Sequence, residues 1–297
     1  MWRIPRIELC ASFPVPVPES GRVLQILADS RRREVNSRES PTTKEVSNED
    51  NIAKKTDVKV ANNRERLFNL FANRPLGDEE LLVNLGLYMR SGALAKILFL
   101  DEMYQKIVGI PGHIFEFGVW YGQSLVVFEN LRAIHEPYNH QRHILGFDTF
   151  EGYPEIGDKD RRSDIISEGV YQVSEKYEGY LEELIDFHEK ENVMSHVKKH
   201  SIHKGDVRQT LPLWMEANPQ TFVALAFFDM ALYEPTRAAL KEIRSRLIPG
   251  SIIVFDELNH KDYPGETEAA MEVLGTEGFA ISNSRILPDR VYFTKIR

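Results

Sequence analysis

Short apolar runs alternate with amphipathic segments over most of the chain after residue 112. Runs rich in β-branched and aromatic residues predict strands at 113–119, 143–148, 197–204, 222–229 and 251–256. Helical periodicity lies between and after them, at 123–134, 207–217, 234–247 and 266–274. This order is typical of parallel strands that are joined by helical crossovers. The sequence therefore predicts a doubly wound, Rossmann-like α/β sheet.

The end of this pattern differs from its beginning. Two strand-like runs at 279–286 and 290–296 flank Pro288-Asp289, which predicts a closing antiparallel hairpin. The helix at 234–247 should end at Pro249-Gly250, because such a pair commonly follows a helix.

Three segments lie outside the alternation. Residues 1–63 are rich in Pro, Ser, Glu, Lys and Arg without sustained periodicity, and we expect them to be mostly disordered. Apolar residues, mostly leucines, at helical spacing over 64–111 predict N-terminal helices that cover the sheet, within a catalytic domain spanning 64–297. The connection at 151–196 is long enough to be a lid or a substrate-binding element. Its aromatic residues would either stack on a substrate ring or pack the lid onto the domain.

Composition argues against several classes of partner. The 297 residues have a net charge of −8 and no dominant basic block, so we expect neither nucleic acid nor a membrane surface as partner. No apolar run approaches the roughly 20 residues that span a bilayer. The single cysteine, Cys10, fits a reducing cytoplasmic compartment, and Glu8 and three prolines interrupt the only stretch that resembles a secretory signal. Homo-oligomerisation stays open.

The turn after the first predicted strand can accommodate a ligand. It reads Glu116-Phe117-Gly118-Val119-Trp120-Tyr121-Gly122-Gln123-Ser124. In an open α/β sheet the ligand lies beyond the carboxyl ends of the strands, where Gly118 and Gly122 would give backbone clearance. The following helix would direct its free N–H groups at the ligand, with the Ser124 hydroxyl beside them. The alternative is that both glycines serve only packing.

Two further strand ends can contact the same ligand. Asp148-Thr149-Phe150 ends the second strand, where a carboxylate can accept hydrogen bonds from ribose hydroxyls or merely cap the turn. Gly205-Asp206-Val207 follows the third strand and would border an adenine ring. Asp206 could accept from the adenine amino group or N-cap the next helix.

Acidic residues follow the fourth and fifth strands. Asp229 ends one, and Asp256-Glu257 ends the other. Neighbouring strands would bring the three carboxylates together, and like charges at that distance need a cation. Oxygen ligands select Mg²⁺ or Ca²⁺ over zinc. The alternative is that one or two of these acids only cap loops.

These motifs together resemble the macrocin O-methyltransferase family. The resemblance rests on Glu116 to Gly122, Asp148 to Pro154, Thr210-Leu211-Pro212 and Asp229 to Thr236, in this order along the chain. It implies a class I sheet, S-adenosylmethionine as cofactor, Mg²⁺, and methylation of sugar hydroxyls. It also implies that Glu116, Gly118, Ser124, Asp148 and Thr149 lie along the methionine and ribose, and that Asp229, Asp256 and Glu257 hold the metal. We include Val119, Gly122, Phe150, Gly205, Asp206 and Val207 among the predicted cofactor contacts.

The sequence departs from the family pattern at three places. Ala231 stands where the family has a second aspartate, and Glu257 stands where it usually has aspartate. The family's histidine base has no counterpart near residues 169–171. His260, which follows the Asp256-Glu257 pair, is the candidate base, or it only supports the metal site from outside.

We therefore predict an S-adenosylmethionine-dependent O-methyltransferase that acts on a hydroxyl of a small molecule, such as a sugar or a glycosylated natural product, with assistance from Mg²⁺. The rival from another class is a protein that binds S-adenosylmethionine without catalysis. A nucleotide-cofactor oxidoreductase is disfavoured because its turn expects Gly-x-Gly-x-x-Gly, whereas Glu116 occupies the first position.

Overall fold

Seven strands form one mixed sheet in the part of the chain that the computed structural model describes, residues 58–160 and 167–297. The strands are β1 (His113–Phe117), β2 (Ile144–Asp148), β3 (His200–Lys204), β4 (Val223–Phe228), β5 (Leu247–Phe255), β6 (Phe279–Asn283) and β7 (Val291–Lys295). Their order across the sheet is β3-β2-β1-β4-β5-β7-β6. The first five are parallel, and β7 runs antiparallel to both β5 and β6. The predicted fold, a doubly wound sheet with a closing hairpin, is confirmed.

Helices cover both faces of this sheet. They are α1 (Val58–Ala72), α2 (Asp78–Val83), α3 (Ser91–Ile107), α4 (Gln123–His135), α5 (Tyr177–Glu191), α6 (Val207–Ala217), α7 (Tyr233–Ile243) and α8 (Pro264–Val273). Helices α3, α4 and α5 pack on one face, and α6, α7 and α8 pack on the other. Short 3-10 turns follow α2 and α7.

Strand composition explains this layering. All six residues of β4 are buried, as expected for a central parallel strand that is covered on both faces. The strands are rich in phenylalanine, and the rings of Phe117 and Phe228 lie 4.7 Å apart across β1 and β4. Burial of each such side chain stabilises the fold by about 1.5–3 kcal/mol.

One predicted boundary was wrong. The helix expected over 234–247 ends at Ile243, and Pro249-Gly250 lie inside β5 instead of after the helix. Leu247 already pairs with Val223, and the register then shifts before Ile252 pairs with Leu225. Pro249 has no N–H to donate to a neighbouring strand, so it is tolerated within β5 at the point where the pairing with β4 is irregular.

Two other segments, 1–63 and 151–196, were singled out when the domain boundaries were predicted from the sequence. Most of the segment expected to be disordered, 1–63, lies outside the described residues, but α1 already begins at Val58. The segment at 151–196 contributes α5, which packs against α4 and β3. Among the described residues, no helix combines the length and the apolar character needed to cross a bilayer.

Candidate active site

A cavity of about 390 Å³ opens at the carboxyl ends of β1, β2, β4 and β5. From β1 the chain continues to β2 and β3 on one side of the sheet, and it then returns to β4 and β5 on the other side. The cavity lies at this reversal of strand order, which is the usual ligand position in such sheets. Twelve of the predicted site residues line it: Glu116, Gly118, Val119, Ser124, Asp148, Thr149, Gly205, Asp206, Val207, Asp229, Asp256 and Glu257.

Three predicted residues lie outside this lining. Gly122 occupies the N-cap position of α4 with a φ of 77°. Phe150 is buried in the core on the α3–α5 face of the sheet. His260 is exposed, accepts a hydrogen bond at Nδ1 from the Asp262 amide and contacts the ring of Tyr263 at 5.2 Å.

Asp148 connects the first two turns of the sheet. Its Oδ2 accepts from the amides of Val119 and Trp120 at 2.6 and 2.8 Å, and its Oδ1 accepts from the amide of Phe150 at 2.6 Å. A carboxylate offers about four acceptor positions, so one remains for a ligand hydroxyl. Asp148 therefore both caps its turn and borders the cavity.

The two glycines of the first turn are required by protein neighbours. A side chain at Gly118 would overlap with the carbonyl oxygen of Asp229, and one at Gly122 would overlap with Leu181 of α5. Both also adopt positive φ angles, which glycine tolerates best. The turn is thus held against β4 and the 151–196 segment, and Gly118 still faces the cavity.

Asp206 caps a helix at the border of the cavity. It is the N-cap residue of α6 and accepts from the Arg208 amide at 2.8 Å, while both carboxylate oxygens accept from the Arg208 guanidinium. Of the two roles considered from the sequence, the capping role is the one that the structure displays.

The carboxylates after β4 and β5 lie side by side. Phe228 pairs with Phe255, so Asp229 and Asp256 follow at the same edge. Burial, reinforced by the charge of Asp229, raises the pKa of Asp256 to about 7. Burial also raises the pKa of Glu257. Burial is the main cause of both shifts, and the negative charge of Asp229 adds to each of them.

Two cations already contact this pair. The Nε of Arg290 lies 2.6 Å from Oδ1 of Asp256, and the Nζ of Lys96 lies 3.5 Å from Oδ2 of Asp229. Burial alone would lower the pKa of Lys96, but the carboxylates of Asp229, Asp256 and Glu116 raise it overall. Neither cation was predicted from the sequence, because α3 and the β6–β7 connection are distant from the acidic residues along the chain and come close to them only in the folded protein.

The residues fit a divalent cation by their chemistry. Three hard carboxylates end adjacent strands, which is a suitable ligand type for Mg²⁺. Among the described residues, the side chains whose ligand atoms lie within 4.8 Å of one another are instead Glu129, Glu189 and His200. That group is occupied by ion pairs to Arg132 and Lys199, and we assign it a structural role. The carboxylates at the cavity remain the proposed metal ligands.

Glu116 is a buried acid within the cavity lining. It is 1% exposed, and its Oε2 has no hydrogen-bond partner among the described residues. Burial raises its pKa well above the ordinary value, although Lys96 opposes this shift. A buried carboxylate oxygen without a partner is costly, so this position is suited to a cationic or hydrogen-bond-donating ligand.

Glu266 holds the two acidic loops together and was not predicted as a site residue. It is fully buried at the start of α8 and accepts from the amides of Met230, Ala231 and Glu257 at 3.0–3.1 Å. Burial raises its pKa to about 8. No local sequence signal marks this role, because all three donors come from other loops.

An aromatic wall completes the cavity. Trp120, Tyr153, Tyr171 and Tyr263 line it, and Tyr171 contacts the rings of both Trp120 and Tyr153. Burial raises the pKa of Tyr153, Tyr171 and Tyr263, so these hydroxyls are neutral hydrogen-bonding groups at pH 7. Tyr171 lies in the region where the family's histidine was sought, so the structure supplies no histidine base there.

Comparison with known proteins identifies the family of this site. Residues 95–272, more than half of the chain, match the model of the Macrocin-O-methyltransferase (TylF) family. The solved structure of CalS11, a calicheamicin methyltransferase, is 40% identical with a TM-score of 0.78, and the match covers 80% of this chain and 93% of that one. An apo structure of CalS11, described as a TDP-rhamnose 3'-O-methyltransferase, is 38% identical with a TM-score of 0.71 over 80% of this chain and 95% of that one.

A curated relative gives a shorter match. The 8-demethyl-8-(2,3-dimethoxy-alpha-L-rhamnosyl)-tetracenomycin-C 4'-O-methyltransferase of Streptomyces olivaceus is 28% identical over 161 residues, which are 50% of this chain. The match spans about half of that relative's length, 54%. The predicted family and the predicted class, S-adenosylmethionine-dependent O-methyltransferase, are confirmed. The chain belongs to the macrocin O-methyltransferase family.

Proposed function

We propose that this protein transfers the methyl group of S-adenosylmethionine to a hydroxyl of a sugar, either on a nucleotide-activated sugar or on a glycosylated small molecule. The observation that carries the proposal is one cavity whose lining joins Glu116 and Asp148 on one side to Asp229 and Asp256 on the other. The names of CalS11 and of the tetracenomycin enzyme, which both refer to rhamnose, support a sugar acceptor.

The first side of the cavity suits the cofactor. Glu116 would accept from the ammonium group of the methionine, and the remaining acceptor position of Asp148 would receive a ribose hydroxyl. Gly205, Asp206 and Val207 would border the adenine. The N-terminus of α4, at which Ser124 is buried, adds free N–H groups and a favourable dipole.

The second side suits the acceptor. Asp229, Asp256 and Glu257 would hold Mg²⁺, and a bound divalent cation lowers the pKa of a hydroxyl that it contacts. The aromatic wall would pack on the apolar face of a sugar ring. Catalysis is then mainly positioning: the sulfur–methyl bond breaks while the oxygen–methyl bond forms, and the hydroxyl loses its proton.

His260 is the candidate that receives this proton. It follows Glu257 on the same loop and contacts the ring of Tyr263, which lines the cavity. Its exposure to solvent would let it pass the proton to water. We propose in addition that residues 64–297 form the catalytic domain, that 151–196 act as its lid, and that the enzyme works in the cytoplasm.

Turnover assays test this function. The full chain, S-adenosylmethionine with a labelled methyl group and Mg²⁺ should label TDP-rhamnose or a rhamnosylated aromatic compound, and the aglycone of that compound should stay unlabelled. Labelling of none of a broad panel of glycosylated acceptors, together with normal cofactor binding, would favour the non-catalytic binding protein. Labelling of the aglycone would show that the acceptor is not a sugar.

A further inference from the structure

Lys96 brings a positive charge to the cavity from a helix that sequence patterns mark only as a cover. It lies on α3, lines the cavity and has a side chain that is 32% exposed. Its contact with Asp229 is long, at 3.5 Å, and an ammonium group has three donors. Lys96 therefore keeps donors available for a ligand.

Helix α3 is fixed firmly enough to position this lysine. Glu102 accepts from the hydroxyl of Ser284 at 2.6 Å, and the hydroxyl of Tyr104 donates to Glu136 at 2.8 Å. These two contacts attach α3 to the β6–β7 connection and to the end of α4. One turn before them, Phe99 and Leu100 are buried in the core.

The cavity thus presents one carboxyl group whose buried Oε2 has no hydrogen-bond partner and one cation with free donors. Glu116 at the end of β1 and Lys96 on α3 both line it and interact electrostatically. An incoming ammonium group favours the ionised form of Glu116, and that carboxylate and the Lys96 ammonium, held on two separate elements, are then complementary to a zwitterion. Within the proposed cofactor, the amino-acid end carries both an ammonium and a carboxylate.

We propose that Lys96 binds the α-carboxylate of the cofactor's methionine end while Glu116 binds its α-ammonium. This inference rests on the proposed function and assigns a contact that the family motifs do not supply. A charge-assisted hydrogen bond to a carboxylate is stronger than a neutral one, and enclosure in the cavity strengthens it further. Lys96 would then distinguish ligands by the presence of the carboxylate alone.

Three ligands separate this role from a simple counter-ion role. S-adenosylhomocysteine carries both groups, its decarboxylated analogue keeps only the amine, and its deaminated analogue keeps only the carboxylate. Calorimetry with the full wild-type chain should show that S-adenosylhomocysteine binds about 10- to 100-fold more tightly than the decarboxylated analogue, because hydrogen bonds to charged groups contribute about 1.5–3 kcal/mol.

Substitutions then assign this preference to Lys96. Lys96→Met should weaken S-adenosylhomocysteine by the same factor and leave the decarboxylated analogue within about threefold of wild type, whereas Lys96→Arg should restore most of the affinity. Glu116→Gln should weaken S-adenosylhomocysteine but not the deaminated analogue. Lys106→Met is the matched control, because Lys106 lies on the same helix, is exposed and contacts Tyr292 away from the cavity.

Three results would overturn the inference. If Lys96→Met weakens the decarboxylated analogue as much as S-adenosylhomocysteine, Lys96 acts only through its carboxylate neighbours. If Lys96→Met leaves all affinities unchanged, Lys96 does not contact the cofactor. If wild type binds S-adenosylhomocysteine and its decarboxylated analogue equally, the carboxylate is not recognised, and this comparison needs no variant. Failure of wild type to bind any of the three ligands would instead contradict the proposed function itself.

Discussion

The guanidinium of Arg290 contacts the carboxylate of Asp256, with 2.6 Å between Nε and Oδ1. Arg290 lies just before β7, and Asp256 lies just after β5, so this pair joins the closing hairpin to the proposed metal site. The Asp256 side chain is 10% exposed and that of Arg290 is 22% exposed, which places the pair largely out of water. The hairpin therefore stabilises the charge of the site as well as completing the sheet.

Removal of this arginine should destabilise the fold. Arg290→Met leaves Asp256 beside Asp229 without its strongest cation, and we expect a loss of about 2 kcal/mol at pH 8, somewhat below the roughly 3–5 typical of a fully buried pair. Urea unfolding measures this loss. Adding Asp256→Asn should recover part of it. Arg285→Met, at an 85% exposed side chain on the same connection, is the control and should cost less than about 1 kcal/mol. Equal losses in both single variants would contradict the importance of the pair.

Gly118 should be far less tolerant than another glycine of similar conformation. Gly118 and Gly109 have φ angles of 89° and 84°, but a side chain at Gly109 would meet no atom within 4 Å. Gly109→Ala should cost about 1 kcal/mol through backbone strain alone. Gly118→Ala adds overlap with Asp229, so we expect about 1–3 kcal/mol more and a large loss of S-adenosylhomocysteine affinity. Equal stability and normal binding in both variants would remove this turn from the cofactor site.

Metal removal tests the carboxylates after β4 and β5. Turnover should fall with a chelator and return with Mg²⁺, because the proposed role of Asp229, Asp256 and Glu257 is to hold the cation that lowers the pKa of the acceptor hydroxyl. Asp256→Asn should reduce turnover at least about 100-fold, while S-adenosylhomocysteine affinity changes little. Glu216→Gln, an exposed acid on α6, is the control and should behave as wild type. Full activity in the chelator, with an active Asp256→Asn variant, would show that these acids are structural.

His113 should make stability depend on pH. Burial, with a smaller effect of His143, lowers its pKa from 6.5 to about 4. Between these values the unfolded chain binds a proton that the folded chain does not, so stability falls as pH falls from 6.5 towards 4. Each unit of difference between the two pKa values changes the free energy of unfolding by about 1.4 kcal/mol, so the largest possible loss is roughly 3 kcal/mol. Because His113 is partly exposed, we expect a loss of about 1–2 kcal/mol.

The measurement for this histidine is the free energy of unfolding against pH. His113→Asn retains an acceptor where Nδ1 receives the His143 amide, and it should flatten the dependence between pH 4.5 and 6.5. The exposed His140→Asn variant should leave the dependence unchanged. An unaltered slope in His113→Asn would assign the pH effect to the half-buried His143 and His203, whose pKa burial also lowers.

Local sequence patterns were sufficient to predict the strands and helices and the acidic residues at the strand ends. Apolar runs and helical spacing predicted each of β1 to β7 within a few residues, because strand and helix periodicities are properties of neighbouring residues. The parallel order of β4 and β5 follows from the same alternation, and it makes Asp229 and Asp256 neighbours. The wrong prediction at Pro249 shows the limit of local patterns, because the irregularity that admits this proline into β5 depends on pairing with β4.

What the sequence by itself determined is therefore the class of fold, the family and the acidic edge of the sheet. Only the tertiary structure decided which charges oppose these acids. Lys96 contacts Asp229 although 133 positions separate them in the chain, and Arg290 contacts Asp256 from the closing hairpin. Glu266 accepts hydrogen bonds from amides of two different loops. No periodicity encodes such pairs, because a buried charge is stabilised by whichever partner packing brings within a few ångströms.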